Sequence, residues 1–129
     1  MLKLSRRTDD TVWINLLPGV RVRMKPITVA MMMVARRAGF AALDRPAVPE
    51  GETPPPLTNE QQIALSVAIV SSLAHQGLVE WEGVGDAAGE PIPVTSEAID
   101  QLLDIVPAFD ALDHLYYTPS VVVAAEKNA

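Results

Sequence analysis

Residues 62–76, Gln-Ile-Ala-Leu-Ser-Val-Ala-Ile-Val-Ser-Ser-Leu-Ala-His-Gln, carry no formal charge and are apolar on nearly every side. Thr58-Asn59-Glu60-Gln61 stands before them, with Thr58 and Gln61 at capping-box spacing. Gly77, a residue type that favours helix ends, stands after them. The pattern predicts one long helix. A helix apolar all round must lie in a core or in an interface. A chain of 129 residues has little material with which to wrap it. This helix, over residues 63–74, is therefore expected to be the most buried element, and the chain to be a homo-oligomer.

Charge is divided just as sharply. Up to Leu43 there are eight basic residues, Lys3, Arg6, Arg7, Arg21, Arg23, Lys25, Arg36 and Arg37, against Asp9 and Asp10. Between Arg45 and Lys127 there is no Lys or Arg, but thirteen Asp and Glu. The net charge of −6 thus hides a basic first third and an acidic remainder. The two parts can attract each other within the fold, or each can face a different partner. Overall acidity and an aromatic content of 5% argue against duplex and single-stranded nucleic acid. With 49% hydrophobic and 20% charged residues the chain reads as globular, a single domain over residues 1–129. It has no cysteine, hence no disulfide framework or thiolate metal site. No signal peptide is expected in the first ten residues, and no apolar run reaches the ~20 residues of a bilayer span.

Local patterns give an α+β fold, mainly helical, with an N-terminal β-hairpin and a short second hairpin in the middle. Val12, Ile14 and Leu16 alternate with outward residues, as do Val20, Val22 and Met24 with Arg21, Arg23 and Lys25. Leu17-Pro18-Gly19-Val20 supplies the turn. The three cations on one strand face serve either as a solvated edge or as a dock for an acidic surface, with Glu80 and Glu82 as internal candidates. Thr28 should cap a helix that Gly39 interrupts before Asp44. Its triplet Met31-Met32-Met33 spans most of the helix circumference, so at least two belong to the core and an exposed one would mark a binding groove. Five prolines in residues 45–57 make a stiff surface linker. Leu78-Val79-Glu80-Trp81-Glu82-Gly83-Val84 reads as a short strand with Val79 and Trp81 on one face, and residues 91–94 return as an edge strand at best. Thr95 or Ser96 caps a further helix. Pro107 opens another, with Phe109, Leu112, Leu115 and Tyr116 inward, which Pro119 breaks.

Chemical motifs fail on inspection. Gly83, Gly85 and Gly89 miss the dinucleotide fingerprint by one residue, and no helix opens behind them. Asp86 to Glu90 lacks the alternating oxygens of a calcium loop. Asp110, Asp113 and His114 lie within one turn of each other, too few ligands for a metal site without help from elsewhere. His75 suits a helix C-terminus. No cofactor and no enzymatic activity are expected.

Over residues 79–105 the chain resembles phage tail assembly chaperones, which serve long-tailed phages, prophages and gene transfer agents. The residues that carry the likeness are Trp81-Glu82-Gly83-Val84, Asp86, Gly89, Pro91-Ile92-Pro93-Val94-Thr95, Glu97 and Leu102-Leu103-Asp104-Ile105. The resemblance implies a non-catalytic protein of the host cytoplasm that binds and solubilises the tape measure protein and helps recruit tail tube subunits, with no nucleic acid or membrane partner. Met31, Met32, Met33, Arg21, Arg23 and Lys25 are the candidate contacts. The alternatives are a structural head–tail or tail component, and a small metal-dependent hydrolase built on Asp110, Asp113 and His114. The proline-rich linker is not part of the family pattern.

Overall fold

The computed structural model describes residues 11–43, 45 and 48–127. Expectations that involve residues 1–10, Asp44 and Pro46 lie outside them. The hairpin forms as β1 (Val12–Leu17) and β2 (Val20–Met24), paired antiparallel with Val12 opposite Met24 and Ile14 opposite Val22. Pro18-Gly19 makes the two-residue connection. β3 (Leu78–Glu82) joins the free side of β2, giving a three-stranded antiparallel sheet in the order β1-β2-β3. Thus the middle of the chain extends the first hairpin. Its own return segment forms no ladder with it among the described residues, only an isolated Gly85–Pro91 bridge and a few single bonds, because Pro91 and Pro93 have no N–H to offer a ladder.

Helix caps follow the sequence closely. Thr28 Oγ1 accepts the Met31 N–H at the start of α1 (Val29–Ala41). Thr58 and Gln61 exchange reciprocal bonds of 3.1 and 2.9 Å at the start of α2 (Asn59–Gly77). Thr95 caps α3 (Ser96–Leu103). α4 (Val106–Leu112) opens with Pro107 in its first turn and packs against β1.

Two glycines act differently from the expectation. Gly39 does not interrupt α1. A methyl group there would stand 2.6 Å from Leu65 Cδ1, so its bareness lets α1 lie close against α2. Gly77 is the last helical residue of α2, not a left-handed cap. Its carbonyl accepts the Lys25 N–H at 2.8 Å, and a methyl group would stand 2.5 Å from the Tyr116 hydroxyl. Pro119 likewise does not break its helix. Asp113–Tyr117 widens into a π turn, and α5 (Thr118–Lys127) continues beyond it. Proline lacks an N–H and crowds the carbonyl four residues back, and a wider turn accommodates both. That extra residue per turn sends Tyr116 inward and leaves Leu115 exposed, although both were expected inside.

The largest fully buried side chains are Val22 and Met24 of β2, Val70 and Leu73 of α2, and Leu112 of α4. The core therefore sits where the sheet, the C-terminal half of α2 and α4 meet. Among the described residues no helix is long and apolar enough to cross a membrane.

Candidate interaction surface

Strand alternation places Trp13, Asn15, Arg21, Arg23, Glu80 and Glu82 on the outer face of the sheet, in cross-strand rows Trp13-Arg23-Glu80 and Asn15-Arg21-Glu82. The Arg21 guanidinium grips Glu82 with two bonds, 2.6 and 2.9 Å, and lies 4.2 Å above the Trp13 ring. Arg23 donates to Glu80 at 2.7 Å and to the Thr11 hydroxyl at 2.5 Å. The hydrogen bond from Arg21 holds the Glu82 carboxyl below the usual carboxylate range, and the same bond raises Arg21. The charge division is thus used inside the chain for Arg21 and Arg23. Lys25 remains exposed, and its side chain has no ion pair among the described residues. A bulge between Arg23 and Met24 leaves Val79 without a partner position, so Val79 turns outward while Trp81 packs on the core opposite Val22.

The Met triplet divides. Met31 and Met32 pack against the core, and Gln76 Nε2 donates to the Met31 carbonyl at 3.0 Å. Met33 is 59% exposed. It belongs to a stripe, Val29, Met33, Arg36 and Phe40, spaced by four, three and four residues, which is one face of α1. Val29 and Phe40 on that stripe are 77% and 60% exposed. The same spacing in α2 gives Ile63, Val67, Val70 and Ala74. Val70 and Ala74 are buried, but Ile63 and Val67 are 63% and 45% exposed. The helix runs past the end of the core, so only its C-terminal half is wrapped. It is not buried throughout, as its composition suggested.

Beside the α1 stripe lies a groove of about 370 Å³, lined by Val29, Met32, Met33, Arg36 and the Ser120-Val121 start of α5. A second groove of about 560 Å³ shares Ser120 and Ile27 with it and is lined also by Trp13 and Leu115. β1 is one of the two edge strands of the sheet, so this second groove lies at a strand edge.

The family-like stretch has a local structural account. Asp86 Oδ1 accepts the Ala88 and Glu90 N–H groups, shaping the turn, and Gly89 takes a positive φ within it. Trp81 Nε1 donates to the Ile92 carbonyl at 2.9 Å and so pins residues 91–94 beside β3. Leu102 is buried. These residues specify a turn, a strap and a helix cap.

Among the described residues no three His, Asp or Glu side chains come together as a metal cage, and Asp110, Asp113 and His114 form no such group. One cluster had no signal in the sequence. His75 Nε2 lies 2.7 Å from Asp100 Oδ1, with Ser96 Oγ 3.4 Å from Nδ1. The serine contact is long, and neither groove includes these residues. They tie the end of α2 to α3. The α1 stripe was also missed, although the four-three-four spacing of Val29, Met33, Arg36 and Phe40 was visible in the sequence. Comparison with protein-family models, curated proteins and solved structures found no match.

Proposed function

We propose that this chain is a non-catalytic tail assembly chaperone of the phage type, acting in the host cytoplasm as a homo-oligomer. It binds the tape measure protein, keeps its long apolar helices soluble and helps bring tail tube subunits to it. The observation that carries the binding reading is the apolar stripe on α1 with Met33 at its centre, open to solvent beside a groove. Exposed apolar side chains gathered on one helix face cost solubility unless a partner covers them. A methionine there suits a client of varied sequence, because its side chain is flexible and polarizable. The client's identity comes from the resemblance over residues 79–105 alone.

Co-expression with the tape measure protein of the same particle tests the reading. The expected result is a soluble complex that co-purifies, with this chain missing from finished particles by mass spectrometry. No gain in client solubility at equal expression, together with this chain in the particle, would instead identify a structural head–tail component.

A further inference from the structure

The charges on α1 narrow what its stripe can receive. Val29–Ala41 contains Arg36 and Arg37 and no acidic residue. Both arginines are exposed, and neither has an ion pair among the described residues, whereas Arg21 and Arg23 are each committed to a glutamate. Among the described residues the stripe is thus an apolar ridge with unpaired positive charge at its middle. From this geometry we infer that α1 docks an amphipathic helix of another protein, one whose apolar ridge is flanked by Asp or Glu. Such a helix lays its ridge along Val29, Met33 and Phe40, places a large side chain in the groove between Met33 and Val121, and pairs its carboxylates with Arg36 and Arg37.

A second copy fits this stripe poorly. In a two-fold antiparallel pairing centred on the stripe, Val29 meets Phe40 of the other copy and Met33 meets its Arg36. The two copies' Arg36, and likewise their Arg37, then lie roughly 5–8 Å apart along the axis, by the helical rise per residue. A parallel pairing sets them directly opposite. Either way four guanidinium groups meet with no acid from α1 to offset them. An acidic helix meets the opposite situation: it is attracted at α1 and repelled by the acidic remainder of the chain, which gives orientation as well as attraction.

The inference rests on the binding role proposed above but not on the identity of the client. Two helical peptides with the same four-three-four apolar ridge test it, one flanked by Glu and one by Lys, titrated into the full chain with fluorescence anisotropy as the readout. The Glu-flanked peptide is expected to bind about tenfold tighter or more, with the margin shrinking at high salt. Met33→Asp should abolish this binding, and the double variant R36E/R37E should reverse the preference. Unchanged circular dichroism and melting temperature in both variants keep misfolding from mimicking the result. Equal affinity for the two peptides, or no binding of either, overturns the inference. So does a dimer that Met33→Asp splits, which would make the occupant a second copy. Binding that emerges only after removal of residues 123–129 would make it the chain's own end and overturn the inference too. Peptide binding without client solubilisation would strike the chaperone reading and leave this inference standing. Client solubilisation without peptide binding would do the reverse.

Discussion

Tyr116 joins three parts of the chain that are far apart in sequence. Its hydroxyl donates to the Lys25 carbonyl at 2.6 Å, at the exit of β2, and packs where Gly77 has no side chain. Burial disfavours the phenolate and pushes the Tyr116 pKa up to about 12. In the unfolded chain the same group loses its proton near pH ~10. Between those values the folded state holds a proton that the unfolded state has released. This contribution to stability is fully present below pH ~10 and is lost as pH rises through 12. Denaturation midpoints measured from pH 8 to pH 11.5 should fall across the upper part of that range. Tyr116→Phe should flatten the fall and cost about 1 kcal/mol at neutral pH, the net worth of a typical hydrogen bond. Gly39→Ala should be worse than its small size suggests, at about 1–3 kcal/mol, because Leu65 and Ile69 must move to admit the methyl group.

The two halves of α2 lie in different environments. Ile69 and Leu73 lie in the core, so replacing either by Ala should cost about 2–5 kcal/mol in chemical denaturation. Ile63→Ala, on the exposed half, should change stability by less than ~0.5 kcal/mol in a monomer. A large loss at Ile63 would show that something covers it. On the outer sheet face, Arg21→Glu sets two carboxylates opposite each other and removes the contact with Trp13, so the melting temperature should drop. The swap Arg21→Glu with Glu82→Arg should recover part of it, because the cross-strand row survives with its signs exchanged. The strand elements were legible from alternation alone. The outward turn of Val79 was not, since a bulge depends on how β3 registers against β2.

For the whole molecule, the exposed Ile63 and Val67 bear on the expected homo-oligomer. Copies that pair through this half of α2 should melt at temperatures that rise with protein concentration, because association stabilises only the folded chain. Light scattering should then give a lower mass for Ile63→Asp or Val67→Asp than for the unaltered protein. A constant monomer mass for all three would assign this surface to a different protein. Here sequence reasoning went partly astray. Absence of charge from residues 62–76 implied an apolar environment for the whole helix, which holds for its C-terminal half. It did not reveal that the core ends near Ile69.

The sequence by itself determined the α+β class, the hairpin with its Pro18-Gly19 connection, and the caps at Thr28 and Thr58, and it narrowed the third cap to Thr95 or Ser96. Each depends on groups within about four residues, where backbone geometry leaves few alternatives. It also supplied the unlike charges of Arg21 and Arg23 and of Glu80 and Glu82, but their pairing waited on the place of the third strand. Tertiary structure alone decided that β3 would complete the first sheet, that the π turn would choose Tyr116 over Leu115, and that Met33 would face solvent while Met31 and Met32 would not. Those outcomes depend on where distant surfaces meet and where they stop. Packing is a competition among all the apolar side chains for a limited interior, and no local pattern records which of them wins.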